Sequence, residues 1–310
     1  MTVRVFDRAT GEYREERQYG AAGLRFLYRT RLGRGLLSRT ALRPWFSTVN
    51  ALTRRTPWSA GGIPRFAAAY GIDLGEFEDR RYRSFADFFT RAFREGARPV
   101  PAGDVLISPA ESRVTCVRID PEARVGIKGH DYRLAELLRD NATARRFAGG
   151  QCLVFRLTVD DCHRYSYVDD GVTVATRRIP GVLHTVGPLA GGVAVHRENT
   201  RVWQLLRTEH LGELVQMEVG AMLVGHIHNH PRDAFSRGEQ QGYFALGGST
   251  IVLLLGPGAA ERVVDAGQQG GPEALSALGG GAEGVPEPAV LGIERVGARS
   301  RLLEQSRKDI

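Results

Sequence analysis

A serine held in a glycine turn is the most reactive-looking arrangement in this chain. Ser249 lies in the stretch GYFALGGSTIVLLL, residues 242–255. Tyr243 to Leu246 and Ile251 to Leu255 are extended by residue type, and the second run is apolar enough for a buried strand. Between them Gly247-Gly248-Ser249-Thr250 makes a turn that glycine allows cheaply where φ is positive. Read from these residues alone, the segment is a β-hairpin that presents a hydroxyl.

Imidazoles are the natural partners for such a hydroxyl, since a serine is a weak nucleophile at neutral pH until a base takes its proton. His163 sits in Asp160-Asp161-Cys162-His163-Arg164-Tyr165, and His184 sits in a loop rich in Gly and Pro. His226-Ile227-His228-Asn229-His230 has three imidazoles at a spacing of two, which one face of a strand would bring together. That pattern reads three ways: a polar strand end, a source of a base at His228 or His230, or a metal site. No carboxylate or cysteine lies within it, and no metal is expected.

The elements that must position these groups are mainly strands. Candidate strands are residues 105–108, 114–118, 152–157, 165–168, 172–177, 193–196, 201–206, 214–219 and 221–226. A helix is expected at 134–138, continuing toward Phe147. Short strands with Gly and Pro turns at this density indicate a mainly antiparallel β domain. Ahead of it the pattern is helical. Leu24, Leu27, Tyr28 and Leu32 share one face, a second apolar stretch covers 36–52, and residues 1–20 read as a loose lead-in. Residues 84–99, SFADFFTRAFREGARP, read as a short amphipathic helix with Ser84 as N-cap. The fold class is therefore α+β. An N-terminal helical region, 1–100, precedes a β-rich domain, 101–310, and residues 266–285 form a Gly-rich insert.

The net charge of +7 on 310 residues is local. Residues 21–60 hold eight Arg and no acidic residue, so the rest of the chain is close to neutral. Arginines interleaved with Trp45 and Phe46 on amphipathic helices suit a membrane surface; a helical pair packed on the core is the alternative. Nucleic acid finds no supporting motif. No apolar run is long enough to span a bilayer, and the N-terminus lacks the apolar core of a secretory signal. Cys116, Cys152 and Cys162 have no paired spacing and fit a reducing compartment.

Taken in order, SFADFFTRAFREGARP, Ser108-Pro109-Ala110, the Asp160–Tyr165 motif, GELVQMEVGAMLVG at 212–225 and GYFALGGST resemble the phosphatidylserine decarboxylase family. The resemblance runs from about residue 20 to residue 299, and the GGST form is closest to the bacterial second type. It implies a proenzyme cut between Gly248 and Ser249, giving a β chain 1–248 and an α chain 249–310. Ser249 would attack the Gly248 carbonyl, and the ester would eliminate to dehydroalanine. Hydrolysis would then leave a pyruvoyl cofactor, an electron sink that takes the substrate amine as a Schiff base. The implied product is phosphatidylethanolamine, made at the cytoplasmic face of the cell membrane by a peripheral protein. The implied partners are a phospholipid substrate, the membrane surface and the protein's own two chains; a homodimer is allowed.

The family's Asp–His–Ser relay is matched with two departures. Glu111 stands at the Asp position, and Ser166 stands where the second His of a His-Arg-x-His motif is usual. His163 matches the first His, which in the family contacts substrate, and His184 falls in the family's substrate-pocket loop. Either His163 serves as both base and substrate contact with Glu111 orienting it, or another His supplies the base, or cleavage is slow or absent. The first is the reading adopted. Two other functions stay open: a pyruvoyl decarboxylase of a soluble amino acid or specialised metabolite, and an uncleaved binding protein.

Overall fold

The computed structural model describes residues 4–7, 12–15, 52–100, 106–127, 130–184, 195–221, 226–246, 249–259 and 291–294, with isolated positions between 23 and 33. The basic stretch 21–51 lies mostly outside these residues, as does the Gly-rich segment 266–285. Helical backbone is described at Gly23, Phe26, Leu27, Leu32 and Gly33.

The chain opens on a hairpin, β1 (Arg4–Asp7) with β2 (Glu12–Glu15), where composition suggested only a loose lead-in. A 3-10 turn at Pro57–Gly62 leads into α1 (Ile63–Tyr70), which Gly71 closes in the left-handed region at φ 65°. Next comes α2 (Phe85–Phe89), capped by Ser84, whose Oγ accepts from the Asp87 amide at 3.2 Å. The helix read over 84–99 stops here because Arg91 turns into the interior. Arg91 is fully buried, donates to the Asp160 and Asp161 carbonyls at 2.5 and 3.1 Å, and stacks over Phe77 and Phe88.

The β region begins with β3 (Ser112–Arg118), followed by the hairpin β4 (Arg124–Ile127) and β5 (His130–Arg133). The helix expected from Leu134 is two helices, α3 (Leu134–Leu138) and α4 (Asn141–Arg145). Arg139 breaks it at φ 48°, and the Asp140 carboxylate caps the second by accepting from the Ala142 and Thr143 amides at 3.0 and 3.1 Å. Then follow β6 (Gln151–Leu157), β7 (Arg164–Ser166), β8 (Gly171–Ile179) and α5 (Val195–Glu198). The remainder is β9 (Arg201–Thr208), β10 (Gly212–Val219), β11 (His226–Asn229), β12 (Ala234–Phe235), β13 (Gln240–Ala245), β14 (Ser249–Leu255) and β15 (Leu291–Glu294). Three expected strands change. Residues 106–108 are irregular, Val195 and His196 are helical, and of the strand expected at 221–226 Ala221 is irregular, His226 is extended and 222–225 lie outside the described residues.

Eight strands form one antiparallel sheet in the order β12-β8-β9-β10-β14-β6-β3-β15. A second sheet holds β11-β13-β7. β14 is the spine of the larger sheet, and every one of its residues is buried. Ile251, Leu253 and Leu255 face the smaller sheet and meet Ile227, Tyr165 and Phe244. Val252 and Leu254 face the other way and meet Leu134, Leu137, Leu138 and Trp203. A strand covered on both faces loses its polar alternation, which is why IVLLL reads as one apolar run. The architecture is the α+β arrangement expected, with few helices before a mainly antiparallel β domain.

Candidate active site

The strands on either side of the GGST segment lie in different layers. β13 pairs with β11 and β7 in the smaller sheet, whereas β14 pairs with β10 and β6 in the larger one. The hairpin suggested by the residues is therefore corrected, since β13 and β14 belong to different sheets. The chain leaves β13 through Leu246, which sits at φ 41°, a strained value for a branched side chain. Gly247 and Gly248 lie outside the described residues. Ser249 is the first residue of β14, opposite Leu157, and is fully buried. It shares the face of Ile251 and Leu253, so its side chain looks toward the smaller sheet. Its Oγ has no hydrogen-bond partner among the described residues.

His163 approaches the same interlayer space from the other sheet. Its carbonyl accepts from the Phe244 amide at 2.9 Å, which extends the β7–β13 ladder by one residue. Alternation puts His163 and Tyr165 on the inner face and Arg164 and Ser166 on the outer one. Ser166, at the position of the family's second His, is thus a strand residue whose amide donates to the Pro109 carbonyl at 2.8 Å. The His163 ring is fully buried and lies 4.0 Å, centroid to centroid, from Phe89 of α2. Its Nδ1 is 3.0 Å from the Asp161 carbonyl oxygen. A carbonyl only accepts, so Nδ1 carries the hydrogen and Nε2 is the basic nitrogen.

The turn before His163 is held from four sides. Asp161 accepts from Arg113 Nη1 at 2.5 Å and from the Thr158 amide at 2.6 Å. Burial pushes the Asp161 carboxyl up to about 6, with Arg113 pulling the other way. Arg91 holds the Asp160 and Asp161 carbonyls. Glu111 completes the clamp: Oε2 accepts from the Cys162 amide and Oε1 from Arg98 Nη2, each at 3.0 Å. Arg98 also reaches Glu76 at 2.6 and 3.2 Å. Both Glu111 oxygens are thereby engaged, and its hold on His163 runs through the backbone of Cys162. The extra methylene of Glu over Asp supplies that reach. Arg91 and Arg98 were not singled out from sequence. The signal available was a cation interrupting the Phe pattern of SFADFFTRAF.

The remaining histidines separate. His226 and His228 pair with Ala245 and Tyr243 and project from the outer face of the smaller sheet, opposite to Ile227 and Asn229. His228 stacks on Tyr243 at 4.7 Å, and burial followed by the neighbouring His226 lowers its pKa. His230 Nε2 lies 3.1 Å from Gln240 Nε2. His226 and His228 line a groove of about 470 Å³ with Arg55, Arg83, Thr90 and Leu246, the residue at which the chain leaves β13. His184 is buried on the loop after β8. Its amide donates to Asn199 Oδ1 at 2.9 Å, and Asn199 Nδ2 in turn reaches the Gly220 carbonyl at 2.7 Å, next to the end of β10 where β14 begins. Burial lowers the His184 pKa, and Glu198 at 3.4 Å opposes this. All three cysteines are unpaired and buried, and burial raises each thiol pKa.

A buried serine at the start of β14 and a buried imidazole on the inner face of the opposing sheet, its tautomer set by a clamped backbone, are groups of the kind that proton and acyl transfer use. Residues 85–271 match the family model described as phosphatidylserine decarboxylase. The phosphatidylserine decarboxylase proenzyme 2 of Clostridium acetobutylicum is 43% identical over 256 residues, covering 82% of this chain and 88% of the relative. The phosphatidylserine decarboxylase proenzyme of Clostridium botulinum is 34% identical over 261 residues, with shares of 82% and 88%. That of Desulfitobacterium hafniense is 32% identical over 260 residues, with shares of 81% and 87%. The chain belongs to the phosphatidylserine decarboxylase family, a family of carboxy-lyases.

Proposed function

We propose that this chain is a proenzyme that cuts itself between Gly248 and Ser249, and that the mature protein converts phosphatidylserine to phosphatidylethanolamine and CO₂. The observation that carries the reading is the placement of Ser249. It opens a fully buried strand directly after a sheet-to-sheet corner, on the interlayer face that also receives His163. His163 Nε2 takes the hydroxyl proton as Oγ bonds to the Gly248 carbonyl carbon. The Gly248–Ser249 peptide bond then breaks and the Ser249 nitrogen gains a proton, leaving an ester; the chains part when a base removes the Ser249 Cα proton and the Gly248 carboxylate leaves with the Cβ–O bond electrons. Glu111 keeps the base in place by fixing the amide next to it.

The residues present fit a pyruvoyl group at position 249, because the Ser249 side chain is buried between the sheets and its oxygen has no hydrogen-bond partner among the described residues. That group supplies a ketone for the substrate amine and an electron sink for loss of CO₂. The chain's own residues bind and orient. Arg55 and Arg83 give the groove its positive charge for the phosphate, with His226 and His228 on its wall. His184 contacts substrate from the loop tied to β10, and His163, having served maturation, is placed to return a proton. We assign residues 1–100 to a membrane-surface region on the cytoplasmic face and 101–310 to the catalytic domain.

The test is the intact mass of the denatured protein, with and without a carbonyl-trapping reagent. The expected result is two chains split after Gly248, the C-terminal one reacting as a ketone, and a single chain for Ser249→Ala. A Ser249→Ala protein that still yields two chains overturns the assignment.

A further inference from the structure

Glu218 is a buried chemical group that the maturation step just described leaves unused. It lies in β10 and is fully buried. Its register partner is Ile251, and directly opposed residues of an antiparallel pair project on one face. Ser249, two residues before Ile251, shares that face. Glu218 and Ser249 are therefore diagonal neighbours, about 7–8 Å apart by the usual geometry of such pairs and somewhat less between Cβ atoms. A glutamate side chain and one water span that gap.

Two observations make this more than proximity. First, the hydrogen bonding of Glu218 is one-sided. Oε2 accepts from Asn229 Nδ2 at 3.0 Å, and Asn229 Oδ1 accepts from the Tyr165 hydroxyl at 2.5 Å. Oε1 has no partner among the described residues, and the same holds for Ser249 Oγ. Native interiors rarely leave such atoms unmatched; with Gln216 Oε1, two residues before Glu218 on the same face, they make a polar patch of unmatched atoms, among the described residues, inside an apolar layer. Second, burial pushes the Glu218 carboxyl up to about 8, so at neutral pH it is an acid that still holds its proton. The titratable groups facing it across the layer are the phenols of Tyr165 and Tyr167, both raised by burial and by Glu218 itself, and His163 farther along the same inner face. Arg178 of β8 acts on Tyr165 from beyond.

We propose that Glu218 is the acid of self-cleavage, delivering its proton across at most one water to the Ser249 nitrogen as the bond to Gly248 breaks. The balance closes with His163. The Oγ–C bond forms and the C–N bond breaks; the hydroxyl proton goes to His163 Nε2, and the amine receives its proton from Glu218. A base and an acid held apart in protonation state by their surroundings are what an acyl shift at neutral pH needs.

The inference rests on the proposed self-cleavage, and its test reads chain splitting. The full chain is made by cell-free synthesis, and its conversion to two chains is followed by intact mass between pH 6 and 9.5. Wild-type cleavage is expected to slow tenfold per pH unit above about 8. Glu218→Gln keeps the volume and the acceptor for Asn229. It is expected to cleave at least tenfold more slowly at pH 7 and to lose the decline above pH 8. Equal rates and profiles in the two proteins overturn the role. So does a slow Glu218→Gln chain that keeps the alkaline decline, since that is the mark of a packing role alone. A wild-type rate that stays flat to pH 9.5 overturns it without any variant. A wild-type chain that never splits overturns the self-cleavage reading, and this one with it.

Discussion

At the scale of single residues, the site separates histidines that the sequence left equivalent. His163 and His228 are both strand-associated imidazoles, but one is buried on the inner face of the smaller sheet and the other lines the groove on its outer face. His163→Gln should slow self-cleavage by about 10²–10⁴-fold, the usual range for a lost general base, measured as two-chain product over time. His228→Gln should leave cleavage unchanged and act, if on anything, on the KM of the mature enzyme. A cleavage defect in His228→Gln with an intact His163→Gln would reverse the assignment. Glu218 adds a prediction about stability. Its folded pKa, about 8, lies above the unfolded value near 4.5, so the folded state binds the extra proton between those values. Its contribution is full below about pH 4.5 and is lost as pH rises toward 8, at up to about 1.4 kcal/mol per pH unit. Denaturant midpoints measured across pH 5–8.5 should fall more for wild type than for Glu218→Gln. His163 was legible from its motif, and Glu218 was not. A carboxylate inside LVQMEV breaks an apolar strand pattern, but only the register with β14 shows what it faces.

At the scale of elements, the corner between β13 and β14 and the clamp around residues 158–163 decide the geometry. Gly242 shows how little slack the smaller sheet has. A Cβ there would lie 2.2 Å from the His228 carbonyl oxygen and 2.7 Å from the Tyr165 hydroxyl. Gly242→Ala should therefore push β11 and β7 off β13, costing about 1–3 kcal/mol and slowing self-cleavage. A thermal midpoint and a cleavage rate equal to wild type would show that the sheet yields instead. Local pattern recovered the strands well where both faces are covered, as in 152–157 and 251–255, although the second begins two residues earlier, at Ser249. It failed where tertiary contact overrides propensity. The helix from Ser84 ends at Phe89 because Arg91 is needed inside. Val195 and His196 are helical, with the His196 ring edge-on to Tyr132 at 5.5 Å.

At the scale of the whole molecule, the groove opens near an apolar and basic rim. Trp58 is 92% exposed and Leu52 is 55% exposed, beside Arg54 and Arg55. No described helix is long and apolar enough to cross a membrane. On the phospholipid reading, this rim and the basic stretch 21–51 meet an anionic surface together. Each arginine near such a surface contributes about 1 kcal/mol, screened by salt. Replacing Arg54 and Arg55 with Gln should lower affinity for phosphatidylserine-containing vesicles by about tenfold or more at low salt, and Trp58→Ala should lower it further. Vesicle binding that ignores both changes and ionic strength would favour a soluble substrate.

The sequence by itself determined the family and the β-rich class of the fold, and it singled out the bond proposed for cleavage. Those rest on short ordered motifs and on strand periodicity, which are local properties of the chain. Only the tertiary structure decided that β13 and β14 belong to different sheets, that His163 lies on the inner face of the smaller sheet and His228 on the outer one, and that Glu111 bonds the Cys162 amide. It alone set Glu218 beside the serine. Each of these is a contact between segments dozens of residues apart, and strand register across a sheet is set by packing that no single stretch of sequence encodes.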